Sequence, residues 1–358
     1  MDTISWSIRQ KINQLSRRLL KNELLRKRCV VALNNGVALK NKLLKRGSSS
    51  RFVNLEGNET FENTFFINEN YRANGFYGTA GILRTYSGYE KKLPVCIEHG
   101  LYLGDYVNKV EGNDSGLSGI VTFGPDRRRA LELSGARNIL EIGPYIQYAQ
   151  SDIHFKNEVS SYLNVGKTLL LMPGHSTDSI GTEYDYDDLI SHIDGLVQEY
   201  GFSNVIINLY FRDCNSRAVE AYRKAGYLVT CCGHMNDPKF LSRQRALIEL
   251  SDVAASNSFG TYIGYCISLG VPFWSINSGV SRQGKTENDA SFTMIKSVES
   301  IMLEIMKRFP AGMEAIGNGQ RLVCEQYWGL GIKRSKTELY SFFQQAEKYQ
   351  YLKLQSGD

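Results

Sequence analysis

The chain reads as α/β, with two parallel-sheet domains in tandem, helices after them and a basic helix in front. Three observations predict this. Short β-branched runs alternate with helix-length amphipathic segments along most of the chain, the pattern of strands joined by crossover helices. One such series, from Lys167 to Ile276, is about 110 residues long, enough for a doubly wound domain. The total of 358 residues exceeds what one domain usually holds.

The basic helix comes first, in "ISWSIRQKINQLSRRLLKNELLRKR". Ile8, Ile12, Leu15 and Leu19 recur at helical spacing behind Trp6. Arg9, Lys11, Arg17, Arg18, Lys21, Arg26, Lys27 and Arg28 fill much of the rest. Such a helix can lie on an anionic membrane surface with its apolar face down, or pack on a core with a solvated basic face. Gly47 to Ser50 is a short joint. The runs Arg51–Leu55, Thr64–Ile67, Pro94–Ile97, Ile120–Phe123 and Asn138–Ile142 then read as strands, with a helix over Arg127–Ser134. In the second series the strands are Thr168–Met172, Asn204–Tyr210, Tyr227–Cys231, Asp252–Ala255 and Pro272–Ile276. The helices between them are Asp187–Tyr200, Ser216–Ala225, Pro238–Leu250 and Thr261–Leu269. Phe292–Arg308, Gly319–Trp328 and Lys336–Leu352 close the chain as helices. The expected division is 1–50 for the basic segment, 51–150 for the first domain and 151–310 for the second, joined near 145–167. Residues 311–358 form terminal helices that return to the first domain.

Composition excludes several classes. The 42% hydrophobic and 22% charged residues are an ordinary globular balance. No run of 18 apolar residues exists to span a bilayer, and the N-terminus lacks a secretory h-region. The seven cysteines have no regular framework and read as reduced core residues. No Cys/His spacing suits zinc, and no metal cofactor is expected. The net charge of +5 is uneven: residues 1–50 hold twelve Lys/Arg and two acids, the rest 30 Lys/Arg and 35 acids. A nucleic-acid binder would spread basic charge over its body, so no nucleic-acid partner is expected. The expected location is the cytoplasm, with the arm (residues 4–28) offering a peripheral hold on the inner membrane face.

Ligands of open α/β sheets sit beyond the carboxyl ends of the strands, so the candidate residues lie in the loops there. "SNSFGT" follows the strand ending at Ala255. It puts Ser258, Gly260 and Thr261 at the head of a helix, where free N–H groups and the helix dipole suit a phosphate. A serine N-cap accounts for one of its polar groups. "PGHSTDS" sets His175 beside Ser176, Thr177 and Ser179, groups able to hold a diphosphate. "CGHMND" offers His234, Asn236 and Asp237 to a base or ribose, with Asn257 nearby. In the first domain "CIEHGLYLGD" ends a strand with Glu98, His99 and Gly100. A histidine oriented by a carboxylate is a general base near neutral pH, and Gly100 permits the tight turn that presents it. Asp105 is the second choice of base. The acids of "DYDD" (185–188) open a helix, where the dipole favours them, and "DRRRA" (126–130) reads as a solvated helix face.

These motifs together resemble the GT-B class of nucleotide-sugar glycosyltransferases, two Rossmann-like domains in tandem, and most of all those that build bacterial capsule and O-antigen polysaccharides. Ser251-Asp252, Ser256-Asn257-Ser258-Phe259-Gly260-Thr261, Tyr265 and Gly270-Val271-Pro272 follow their pattern "ADxxxSNSxGTxxxYAxxxGxP". "NILEIGPYIQYA" (138–149) looks like the segment that ends their first domain. His99-Gly100 is similar to the histidine–glycine pair of CDP-glycerol-type polymer transferases, with Glu98 where those carry Trp. The resemblance covers most of residues 94–280. It implies a nucleotide-sugar donor in the second domain, a glycan or lipid-linked glycan acceptor in the first, His99 as base and His175 on the donor phosphates. The acidic pair of common retaining members is absent, which implies inverting chemistry. Two other functions fit the same residues: transfer of glycerol- or ribitol-phosphate from a CDP-alcohol, and a non-catalytic role binding a nucleotide or glycan.

Overall fold

A computed structural model describes residues 22–45, 51–107, 116–177, 180–284, 293 and 296–356. Strands are numbered in chain order. The larger sheet holds β4 (Lys167–Leu171), β6 (Phe202–Leu209), β7 (Leu228–Cys231), β8 (Val253–Ser256) and β9 (Phe273–Ser275). All its pairings are parallel, in the order β7-β6-β4-β8-β9. The strands are near-continuous apolar runs because both faces are covered. Leu169 and Leu171 join one apolar cluster with Ile207, Val229 and Trp274, while Leu170 joins the other, as the alternation of side chains along a strand requires.

Starting at β4, the chain steps outward through β6 to β7, then returns to the far side of β4 for β8 and β9. The strand order therefore reverses between β4 and β8. Crossover helices α5 (Tyr186–Tyr200), α6 (Ser216–Lys224), α7 (Phe240–Glu249) and α8 (Tyr262–Ser268) join the strands. The caps follow sequence: Asp185 accepts the N–H groups of Asp187 and Asp188 at α5, and Asn215 accepts that of Ala218 at α6. The acids of 185–188 thus serve a helix start.

The smaller sheet holds β1 (Cys96–Ile97), β2 (Ile120–Thr122) and β3 (Ile139–Glu141), parallel and in that order. With two parallel sheets in succession, the fold is the α/β, Rossmann-like tandem expected. One apolar cluster runs through both sheets, joining Val95, Ile97 and Val121 to Leu170, Ile206 and Ala254. Helix α3 (Pro125–Leu133) connects β2 to β3, and α2 (Thr79–Ser87) precedes β1.

Four departures from the sequence reading have physical causes. Residues 51–55 do not open the first sheet. Val53 bridges Thr230 in antiparallel fashion, Leu55 donates its N–H to Val229 O, and Cys231 donates to Phe52 O. The segment covers the free edge of β7. Thr64–Ile67 makes no strand either: Ile67 exchanges two backbone hydrogen bonds with the Asn35 amide, at 2.8 and 3.0 Å. Asn35 sits on α1 (Glu23–Leu43). Of the basic arm, residues 1–21 lie outside the described residues. Arg26 and Lys27, read as part of its basic face, are buried at the head of α1, Lys27 over the Tyr71 ring at 4.7 Å. Finally, β5 (Ile180–Tyr184) pairs antiparallel with β10 (Val280–Gly284), a two-stranded ribbon that local patterning did not reveal.

At the end of the chain, α10 (Asn318–Trp328) packs on α3 and α8, and α11 (Lys336–Ser356) packs on α2. Helix α9 (Glu299–Met306) precedes them. No helix of the described residues is long and apolar enough to cross a membrane. All seven cysteines are free thiols, six of them buried and Cys29 half-buried.

Candidate functional site

A doubly wound sheet opens a crevice where its strand order reverses, here between β4 and β8. The loop after β8 is "NSFGT" and the loop after β4 is "PGHST". Asn257 Oδ1 accepts the Gly174 N–H at 2.9 Å and ties them together. The Asn257 Nδ2, in a residue only 8% exposed, has no hydrogen-bond partner among the described residues. Buried amide donors normally find an acceptor. Gly174 lies so close to the other loop that a Cβ there would stand 3.1 Å from Ser258 Cβ.

The polar groups of "SNSFGT" divide between two tasks. Ser256 is structural: its hydroxyl accepts the Ser258 N–H at 3.0 Å and pairs with the Tyr262 hydroxyl at 2.7 Å. Tyr262 in turn donates to Ser258 O at 2.8 Å. Gly260 is structural too, against the expectation that it admits a ligand: a Cβ there would fall 2.3 Å from the Tyr262 ring. Asn257 and Ser258 face the crevice. Thr261, at the head of α8, accepts the Leu101 N–H through its hydroxyl at 3.3 Å. The N–H groups of the first helical turn lie outside the helix ladder.

Cations gather at this crevice although the chain beyond residue 50 is acidic overall. Arg282, on β10, donates to the Ser258 hydroxyl. Its cross-strand neighbour Thr182 donates to His175 O at 2.8 Å. The His175 ring lies against Tyr210 with centroids 4.3 Å apart. Burial holds His175 below the ordinary histidine value of 6.5, and Arg282 and Arg212 add to that, while Ser176 O and Asp213 oppose it. Asp213 accepts the Ser176 N–H at 3.1 Å, and burial raises its carboxyl above the usual range. Sequence reasoning missed Arg282, Thr182, Asp213 and Tyr210. Arg282 arrives only through the β5–β10 pairing, and a lone Arg in a polar stretch carries no spacing signal.

The loop after β1 brings residues 98–106 to the same edge, and its Leu101–Thr261 bond joins the carboxyl ends of the two sheets. His99 is half-buried there, its ring edge-on to Phe76 and Tyr102 at 5.4 and 5.8 Å. Its Nδ1 lies 3.4 Å from the Tyr102 hydroxyl. Glu98 does not serve beside it as a proton carrier. It is wholly buried, held by Arg127 at 2.7 and 3.1 Å and by the Thr122 hydroxyl at 2.6 Å. Adjacent residues at a strand end point to opposite sides, so the residue that presents His99 buries Glu98. Arg127, expected on a solvated face, is the buried partner; it also donates to Tyr106 O at 3.0 Å and lies over the Tyr102 ring at 5.4 Å. The pair thereby props the loop that carries His99. Gly100 is not needed for a tight turn: its φ is not positive and a Cβ would meet open space. Asp105 faces solvent, its side chain 74% exposed and paired with Arg129, away from the crevice.

The loop after β7 is filled by its own bonds. Asp237 pairs with Arg243 at 2.7 Å and accepts the Lys239 N–H. His234 is buried against Phe211, its Nδ1 accepting the Asn236 N–H at 3.0 Å. Asn236 is buried against α1, its amide 3.5 Å from Asn34. Against the sequence reading, His234 and Asp237 are spent on the fold, while the buried Asn236 Oδ1 has no hydrogen-bond partner among the described residues. Of the residues expected to bind ligand, the structure brings together His175, Ser176, Asn257, Ser258 and Thr261, with His99 on the facing loop.

No protein-family model matches the chain, and no curated protein does. Among solved structures it is similar to UDP-GlcNAc 2-epimerase from Neisseria meningitidis bound to UDP-GlcNAc, at 12% identity over 69% of this chain and 72% of that one, TM-score 0.35. It is similar to a putative UDP-N-acetylglucosamine 2-epimerase from Listeria monocytogenes, at 11% identity over 71% and 74%, TM-score 0.35. A third is UDP-glucose: anthocyanidin 3-O-glucosyltransferase in complex with UDP, at 10% identity over 78% and 64%, TM-score 0.27.

Proposed function

We propose that the chain is a glycosyltransferase that moves a sugar from a nucleotide-sugar donor to a glycan or lipid-linked glycan acceptor in cell-surface polysaccharide synthesis. The observation that carries the reading is the cationic crevice at the strand-order reversal. There Arg282 donates to the Ser258 hydroxyl, Asn257 ties its loop to the one that carries His175, and the Asn257 Nδ2 has no hydrogen-bond partner among the described residues, a donor set suited to a diphosphate. The facing loop supplies a half-buried histidine from the other sheet.

His99 accepts the proton of an acceptor hydroxyl as its oxygen attacks the anomeric carbon. The bond from that carbon to the diphosphate oxygen breaks, and the nucleoside diphosphate leaves with the electron pair. Arg282 and Ser258 meet the charge that grows on the leaving oxygen. One displacement inverts the anomeric carbon. The Arg127–Glu98 pair holds the loop and takes no proton. The basic arm would keep the protein near a lipid-linked acceptor.

The test is turnover of UDP-, GDP-, CMP- and CDP-linked donors by wild type and His99→Ala. Sugar release from a nucleoside-diphosphate-sugar is expected, with kcat about 10²- to 10⁴-fold lower in the variant. Turnover of a CDP-alcohol alone would overturn the sugar assignment. Unchanged kcat in His99→Ala would remove the base.

A further inference from the structure

In the loop expected to read the nucleoside, residues 234–237, His234 and Asp237 are held by hydrogen bonds within the fold. A cavity of about 640 Å³ lies elsewhere, against the β5–β10 ribbon. Its walls are the β5–β10 ribbon and the first turns of α5 and α6, with Thr182, Tyr184, Tyr186, Arg217, Val280 and Ser281 among its lining. Its size is that of small-molecule sites in general.

We propose that this cavity receives the planar base of a nucleotide whose phosphates occupy the crevice between β4 and β8. The inference rests on the reading above and assigns the nucleoside end of the same ligand. Four features support it. First, the cavity and the crevice share a wall. Thr182 lines the cavity, and its methyl would stand 3.4 Å from a Cβ on Gly174. In the ribbon, Thr182 pairs with Arg282, and two residues along Tyr184 pairs with Val280. Those rungs are about 7 Å apart along the strand, within the length of one nucleoside diphosphate.

Second, the walls are aromatic and the aromatic group is fixed. Tyr186 packs edge-on to Tyr184 and Tyr222 at 5.1 and 5.8 Å, and the Tyr184 and Tyr222 hydroxyls are 3.2 Å apart. Third, the Arg217 guanidinium sits 5.6 Å from the Tyr186 ring centroid and makes no ion pair with a described carboxylate. Tyrosine faces and guanidinium planes both stack on nucleobases. Fourth, a two-stranded ribbon has an outer main-chain edge on each strand, of which the Thr182 N–H and O are bonded to the Ser176 hydroxyl. Those edges, with the exposed Glu183, match a ring whose rim carries donors and acceptors. Among the described residues Val280 is the one aliphatic side chain of the lining, which favours a polar, aromatic ligand over an acyl chain.

The experiment titrates the full chain with inorganic pyrophosphate and with UDP, CDP, GDP and ADP, in wild type, Tyr186→Ala and Arg217→Ala. Thermal melting of each variant checks that it folds. Arg217 is exposed on a helix, so Arg217→Ala provides the test should Tyr186→Ala not fold. At least one nucleoside diphosphate should bind wild type more tightly than pyrophosphate does. Each variant should lose roughly five- to a hundredfold of that nucleotide affinity, with pyrophosphate affinity unchanged. Unaltered nucleotide affinity in both variants overturns the base site and leaves the phosphate crevice standing. Equal losses for pyrophosphate and nucleotide overturn it as well, since the cavity would then act on the phosphates. If wild type binds neither probe, the reading of the crevice fails and the base site with it.

Discussion

Glu98 and His99 show what adjacency in sequence hides. Neighbours at the end of β1 point to opposite sides. One faces the cleft, and the other is buried with Arg127 at 0% exposure for both side chains. Removing one partner of a buried pair leaves an uncompensated charge, which costs about 3–5 kcal/mol. Glu98→Gln should therefore lower unfolding free energy by that much in urea titration; a loss under about 1 kcal/mol would show the pair to be incidental.

His175 carries a pH signature. Burial depresses it below 6.5 in the free protein, so it is neutral at pH 7. A depressed value means the unfolded chain binds the proton more tightly, so the stability His175 contributes is present above 6.5 and lost as pH falls through its lower native value. A diphosphate beside it favours the charged form and raises that value. Binding should therefore take up a proton between the two values. Calorimetry of a nucleoside diphosphate in buffers of different ionisation enthalpy, stepped downward in pH from 6.5, checks this. Uptake should shrink in His175→Gln, and identical uptake in both would contradict the placement. The hydroxyls and histidine of this crevice were legible because they sit within a few residues of strand ends. Arg282 was not, because long-range pairing delivers it, while Asp213 follows the end of β6 and was within reach of the same rule.

At the scale of elements, the five parallel strands of the larger sheet were legible within a residue or two at most ends. Their apolar runs are continuous and their helices regular. The β5–β10 ribbon was not: its strands lie far apart in sequence, and neither alternates polar with apolar. Residues 51–55 were read as a strand but given the wrong sheet, since a short edge segment carries no mark of its partner. The terminal helices matter to the site through Trp328. It is fully buried, its Nε1 donates to Thr261 O at 3.0 Å, and a Cβ on Gly264 would fall 2.2 Å from its ring. Trp328→Ala should cost about 3–5 kcal/mol, read by denaturant unfolding. Trp328→Phe should recover most of that stability. Equal losses in both would mean that the indole N–H bond outweighs the packing.

For the whole molecule, one apolar cluster continues through both sheets, and the Leu101–Thr261 bond joins their carboxyl edges. The loop that carries His99 and the loop that carries Ser258 thus meet at that bond. The chain beyond residue 50 is acidic overall, so anions are not drawn by general charge; the local charges of Arg282 and Arg212 favour them. The central claim is that this grouping binds a diphosphate. Isothermal titration of the full chain with inorganic pyrophosphate, wild type against Arg282→Gln, tests it most directly. The account predicts saturable one-to-one binding to wild type, weakened about ten- to a hundredfold in the variant, the loss expected for hydrogen bonds to a charged group. Equal affinity in the two proteins, or no binding to wild type, would contradict it.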